Sequence, residues 1–416
     1  MTSVDNDRAA AARLMRAAAV RDRAVELLEI GEQDGLQHFA IDMDRLDAAV
    51  TYVADVVRKN FPDLNVPFHS RWRHFSVGGR DRWAEIRDRL DTASPAEVGR
   101  IQFDLVITSV LLDAGAGESW RYIETASGQT FRRSEGLAVA SFELFNSGML
   151  SGDAASPLQA DAAGLAALTE QDLGRSFQVT EQNPLVGVSG RTELMRRLAT
   201  TIERRSDLFG SERGQVARVG NLFDGIARYA REGTIAAPDI LGVVLDGLGD
   251  LWPGQLMLGG VNLGDTWHHP AVQADDATAG LMPFHKLSQW LTYSLVEPLQ
   301  EAGITVTDLD GLTGLAEYRN GGLFVDLGLL RPKHDDVLSR EHRVDSEIVV
   351  EWRALTIALL DRIADPLRSE LGQDSRTLPL AKILEGGTWQ AGRRIAAERR
   401  SGGGPPIRTL SEGTVF

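Results

Sequence analysis

Apolar residues return at helical spacing through 191–204, 237–250, 283–300, 347–365 and 378–399. That period lays them along one face of a helix, and it limits the fold more than any other feature of the chain. Good helix formers fill 8–30, where Gly31 offers a stop, and 42–59 reads as a second helix closed by Pro62. Asn-Gly and Asp-Gly pairs occur, Asn320-Gly321 among them, but none is flanked on both sides by alternating β-branched runs. A hairpin-built sheet is therefore not expected. Phe103 to Leu112 suits a short strand or a buried helix, and periodicity does not choose between them. Residues 135–146 carry apolar groups on every side, as a buried helix does. The expected fold class is mainly α, a multi-helix globular body with a few short strands.

The chain has 416 residues, 43% of them hydrophobic, enough for a large core. No internal repeat and no low-complexity linker precedes residue 400. The expected organisation is an N-terminal helical segment over 1–64, a catalytic helical body over 65–400, as one mass or two packed lobes, and a tail over 401–416. Ser401-Gly-Gly-Gly-Pro-Pro406 opens that tail as a flexible connection. Without cysteine, disulfides, thiolate metal sites and a cysteine nucleophile are excluded. The first thirty residues lack the apolar stretch of a signal peptide, and no run of about 18 apolar residues occurs. The cytoplasm is the expected compartment, with no membrane partner. The net charge of −15, from 59 acidic and 44 basic residues, argues against a nucleic-acid partner, which needs a basic face. The one dense basic stretch, Arg393 to Arg400, reads as a solvated helical face. A small phosphorylated ligand needs only a few local cations and stays open, as does a homo-oligomer.

Pro283-Phe-His-Lys-Leu-Ser-Gln-Trp-Leu-Thr-Tyr-Ser-Leu295 is the most informative segment. Pro283 suits a first helical turn. At about 100° per residue, Phe284, Leu287, Leu291 and Leu295 share one face, while Lys286, Gln289, Trp290 and Tyr293 share the other. Two aromatic bodies with polar tips beside one cation suit a wall that orients an anionic ligand; packing on another helix, with Lys286 reaching outward, is the alternative. Around Glu317-Tyr318-Arg319, a carboxylate beside an arginine precedes Gly321-Gly322, where backbone can approach something closely. That pattern suits a site handling positive charge at an anomeric carbon, or a structural ion pair at a helix end. Asp345-Ser-Glu347 reads as a helix start, with Ile348, Trp352, Leu355, Leu359 and Ile363 as the buried stripe. Glu351 and Arg353 flank it, reaching one pocket or bracketing the helix with salt bridges.

Leu112-Asp113-Ala-Gly-Ala-Gly117 superficially resembles a ribose-phosphate loop, but it has one acid where that loop has paired acids, and no threonine follows. Trp120, Arg121 and Tyr122 beyond it suit a ligand wall or core packing. The histidine candidates for a metal are His69 with His74, His268 with His269, and His285. Their spacings do not place two ligands on one helical face, so no metal is expected. Neither a dinucleotide fingerprint nor a P-loop occurs, and no cofactor is expected.

Phe68-His-Ser-Arg-Trp-Arg-His-Phe75, Arg133-Ser-Glu-Gly-Leu-Ala-Val-Ala140, Gly280 to Leu295, Glu317-Tyr-Arg-Asn-Gly-Gly-Leu-Phe324, Gly386-Gly-Thr-Trp389 and Gly413-Thr-Val-Phe416 resemble the Urc/Urg uracil-catabolism family. So does Leu111 to Gly117. That family serves a uracil-degradation route through a phosphoribosylated intermediate and carries the label uracil phosphoribosyltransferase. Ala316-Glu-Tyr-Arg319, Phe284-His-Lys286 and Ser346-Glu…Glu351-Trp-Arg353 are more distantly similar, in order and spacing, to queuosine 5′-phosphate N-glycosylases. Those proteins have a DNA-glycosylase-like helical fold and use an acid where Glu317 stands, one methylene shorter. The resemblance implies N-glycosidic hydrolysis of a phosphorylated ribose derivative, with ribosylurea 5′-phosphate as preferred substrate. It implies Glu317 as the catalytic carboxylate. Lys286, His285, Gln289, Trp290, Tyr293, Tyr318, Arg319, Arg353, Trp120 and Arg121 are the expected substrate-binding residues. Phosphoribosyl transfer to uracil and a non-catalytic ligand-binding role are the alternatives.

Overall fold

The Ser94 hydroxyl accepts the Glu97 N–H at 3.2 Å and Pro95 occupies the first turn, so the chain enters a helix well before the apolar run at Phe103 begins. That start signal resolves the ambiguity of Phe103–Leu112 as helix. The computed structural model describes residues 3–113, 115–117, 119–210, 216–251 and 256–410. Its main helices are α1 (Ala17–Glu32), α2 (Leu46–Asn60), α3 (Pro95–Leu111), α4 (Arg133–Asn146), α5 (Val188–Arg204), α6 (Ala237–Leu248), α7 (Lys286–Glu301), α8 (Tyr318–Leu327), α9 (Glu347–Leu371) and α10 (Trp389–Arg399). Strands are short and paired; antiparallel pairs join β1 (Phe39–Ile41) to β6 (Leu330–Pro332), β2 (Arg121–Ile123) to β3 (Thr130–Arg132), and β4 (Thr266–His268) to β5 (Leu281–Pro283). The protein is mainly α. No helix among the described residues is long and apolar enough to cross a membrane.

The chain divides into two compact units. The first comprises Met1–His69, Gly254–Trp290 and Asp308–Ser411; the second includes Ser70–Pro253 and Leu291–Thr307. In the first, α9 packs against α1 and α2, and α8 packs against α9 and α10. Trp352, Leu355, Leu359 and Ile363 are buried as the stripe requires, but Ile348 is only half-buried. The helix is enclosed on nearly every side, so Glu351 and Arg353 are fully buried and not flanking. Gly321 lets α8 lie directly on α9: a Cβ there would meet the Trp352 indole nitrogen at 2.6 Å and Thr356 Oγ1 at 2.7 Å. Gly31 does not stop a helix. It lies inside α1, where Ile41 and Leu36 fill the space a side chain would need.

In the second unit, α3 packs against α4 and α5. Asp104 on α3 is fully buried and accepts from Arg218 Nε at 2.5 Å and from the Gly220 N–H at 2.6 Å. Burial outweighs these partners and pushes its carboxyl up to about 6. The hairpin of β2 and β3, which the sequence did not announce, turns through Glu124, Ser127 and Gly128. Its turn carries Gly128 at a φ of 69° instead of an Asn-Gly or Asp-Gly pair.

Candidate active site

Glu317 caps the N-terminus of α8. Its Oε1 accepts the Asn320 N–H at 2.7 Å and its Oε2 the Arg319 N–H at 3.0 Å. Each oxygen keeps a second lone pair. Burial pushes the carboxyl above the ordinary carboxylate range, against the downward pull of the two backbone N–H groups and the charges of Lys286 and His69. Residues far apart in sequence thus act on one carboxylate within the first unit.

The convergence has an identifiable cause. Gln289, one turn along α7 from Lys286, accepts the Thr313 N–H at 2.8 Å and donates to Thr313 Oγ1 at 2.7 Å and to the Phe284 carbonyl at 3.0 Å. This clasp holds the segment leading to Glu317 against the start of α7. Asn320 adds a bond to the Leu315 carbonyl at 3.1 Å. Asp265 fixes the start of α7 itself. Its carboxylate accepts the Lys286 N–H at 3.0 Å, the Trp267 indole N–H at 2.7 Å and a bidentate pair from Arg353 at 2.9 and 2.8 Å. The arginine and these donors outweigh burial and hold the carboxyl down at about 2. The Asp265 carbonyl accepts from Phe284 and His285, so Pro283 ends β5 and the helix begins only at Lys286. That corrects the expectation of Pro283 in the first helical turn.

His69 supplies the third ionisable group. Its Nδ1 lies 2.7 Å from Glu385 Oε2, and its ring packs against Trp290 and Trp389, with centroids 6.5 and 5.9 Å away. The His69 backbone N–H donates to the Ala381 carbonyl at 2.9 Å. Glu385 stands in a π-helical turn over Ile383–Thr388, a local widening common at functional sites. Among the described residues, His69 and Glu385 thus assemble with the indoles of Trp290 and Trp389, and Lys286 and His69 both act electrostatically on Glu317. Open surface depressions run along Ala397–Gly403 and around Pro332–Ser339, and neither is lined by Glu317 or Lys286.

The remaining expected residues are placed differently. Arg353 is 1% exposed, paired with Asp265 and stacked 3.9 Å from the Phe284 ring centroid. Arg319 donates to the Gly403 carbonyl at 2.7 Å and lies over the Tyr318 ring. His285 is buried, takes a positive φ of 47°, and bonds the Leu14 carbonyl at 2.9 Å; burial lowers its pKa. Tyr293 is fully buried on α7 and is grouped with the second unit. Trp120 and Arg121 also belong to the second unit. There Trp120 donates to the Phe177 carbonyl at 3.0 Å from the core, and Arg121 is exposed on β2. Asp113, the lone acid of the ribose-phosphate-like loop, is held by buried Arg71 at 2.7 Å. Ala114 of that loop lies outside the described residues, as does Gly413-Thr-Val-Phe416. The sequence offers His69 as a metal-ligand candidate and as part of the Phe68–Phe75 patch, and it does not single out Glu385. The crowding of His69-Ser-Arg-Trp-Arg-His-Phe75 and the neighbouring Gly386-Gly-Thr-Trp389 were the available signals.

A family model described as a protein of unknown function, DUF1688, matches residues 13–416. Protein urg3 of Schizosaccharomyces pombe (strain 972 / ATCC 24843) is 37% identical over 417 residues, spanning 97% of this chain and 98% of that protein. Uracil catabolism protein 4 of Lachancea kluyveri is 34% identical over 428 residues, spanning 96% of this chain and 97% of that protein. Matched from near its first residue to its last, and aligned with both relatives over almost their whole lengths, the chain belongs to the DUF1688 family.

Proposed function

We propose that this protein is an enzyme of uracil catabolism that hydrolyses the N-glycosidic bond of ribosylurea 5′-phosphate, releasing urea. The observation that carries the reading is the half-buried Glu317 carboxyl, fixed by the Asn320 and Arg319 N–H groups on the segment that Gln289 clasps to the start of α7 beside Lys286. The similarity to Uracil catabolism protein 4 of Lachancea kluyveri supports the pathway.

Breaking a glycosidic bond leaves positive charge on the anomeric carbon, which a fixed carboxylate stabilises. Glu317 is fixed by two helix N-terminal N–H groups and retains lone pairs to face that carbon or to take a proton from the attacking water. His69, oriented by Glu385, gives the proton that the departing urea nitrogen needs. Lys286 favours the ionised form of Glu317 and offers N–H donors to the 5′-phosphate. Trp290 and Trp389 flank the imidazole and limit water around it.

The deciding experiment incubates the protein with ribosylurea 5′-phosphate, with UMP, and with uracil plus phosphoribosyl diphosphate, reading products by mass. Urea and ribose 5-phosphate from the first mixture alone are expected, lost in Glu317→Gln at unchanged far-UV dichroism. UMP formed from the third mixture, or a near-normal rate in the variant, would overturn the assignment.

A further inference from the structure

We propose that His38, Glu347 and Glu351 form a site for one divalent transition-metal ion, separate from the Glu317 group. His38 lies immediately before β1, and Glu347 and Glu351 stand one turn apart at the start of α9, hence on one face. One ligand atom from each of the three falls within 4.8 Å of the others. The second observation is independent of that clustering. His38 is 8% exposed, and its Nε2 is buried without a hydrogen-bond partner. The Glu347 carboxylate oxygen is 3.6 Å from it, too far for a hydrogen bond. Two ligands each about 2.1 Å from a tetrahedral ion stand roughly 3.4 Å apart, so this separation suits a shared cation better than a shared proton.

The surrounding groups orient the ligands as metal sites require. His38 Nδ1 lies 2.9 Å from His334 Nε2, so a proton on Nδ1 leaves the Nε2 lone pair for a metal. Glu351 Oε1 accepts the His38 and Phe39 N–H groups at 3.1 and 2.9 Å, while its Oε2 faces His269 Nε2 at 3.4 Å. His269 Nδ1 accepts the Ala271 N–H at 3.3 Å, which puts its proton on Nε2, as a donor to the carboxylate and not as a fourth ligand. One imidazole and two carboxylates suit zinc, manganese, iron or cobalt, whereas magnesium and calcium favour oxygen ligands throughout. The Glu347 side chain, 34% exposed, gives an ion a way in. A bound ion would tie the segment entering β1 to α9.

The test is titration of the chelator-treated full chain with Co²⁺, followed by visible d–d absorption, then competition with Zn²⁺, with melting temperature recorded in parallel. One Co²⁺ per chain, displaced by Zn²⁺ and raising the melting temperature, is expected. Glu347→Gln, a change at a partly exposed helix start, should weaken binding by about 100-fold or more at unchanged far-UV dichroism. His334→Ala should weaken it by roughly 10- to 100-fold by releasing the His38 ring. Glu317→Gln should leave it unchanged. Absence of a stoichiometric absorption change, or Co²⁺ binding undiminished in both Glu347→Gln and His334→Ala, would overturn the proposal.

Discussion

Replacing Asp265 by Asn keeps the shape of the side chain that starts α7 while removing its charge. The carboxyl is held at about 2 against an ordinary 3.8. That difference is worth roughly 2 kcal/mol to the folded state. The larger loss comes from Arg353, which is 1% exposed and would keep a buried charge without its partner. Breaking such a pair costs about 3–5 kcal/mol. Urea denaturation near neutral pH should therefore show Asp265→Asn less stable by about that amount. Adding Arg353→Met removes the stranded charge and should recover at least about 1 kcal/mol. The pH dependence has a definite sign. A carboxyl whose folded pKa is depressed stabilises above its unfolded value and loses that contribution as pH falls toward about 2. The gap between wild type and Asp265→Asn should hold above about pH 4 and close below it. A cost under about 1 kcal/mol, or a double variant no more stable than the single one, would refute this account of the pair.

Lys286→Met removes a charge that favours the ionised form of Glu317, so the acid limb of the pH–rate profile should move to higher pH; an unmoved limb would separate the two residues. Gln289→Ala orphans the buried Thr313 N–H, at a cost of about 1–3 kcal/mol, and should lower kcat/KM for ribosylurea 5′-phosphate while the protein stays folded in far-UV dichroism. Gly392→Ala puts a methyl group against the Arg319 carbonyl, separating α10 from α8, and should cost roughly 1–3 kcal/mol in thermal or urea unfolding.

At α9 the periodic stripe was sufficient: Ser346 stands at its start without capping it, its hydroxyl donating to the Arg343 carbonyl. At α3 the apolar run alone left strand and helix open, and the Ser94-Pro95 start decides it within one turn of its own residues. Gly31 and Pro283 misled because their meaning is set by distant partners. Ile41 and Leu36 crowd the first, and Asp265 claims the backbone N–H groups that follow the second. Glu351 and Arg353 show the same limit. Their positions beside the stripe were legible, but whether each is buried, and against which partner, depends on His269 and Asp265, about eighty residues away in sequence.

The candidate site follows the same rule at longer range. Helical phase groups Lys286 with Gln289 and Trp290, and Glu317 with nothing. What joins them is the three-bond clasp of Gln289, which makes the glutamine, set beside Lys286 as a ligand contact, a positioning residue instead. His69 acts on Glu317 electrostatically, at a distance in sequence that no spacing encodes, and its ring is steered by Glu385 and the two indoles. His38 joins Glu347 and Glu351 in the same way, across most of the chain. A histidine pairing judged within one helix would overlook both. Short-range pattern therefore identifies which side chains are held rigidly, and the chemistry depends on the charges those rigid elements bring together.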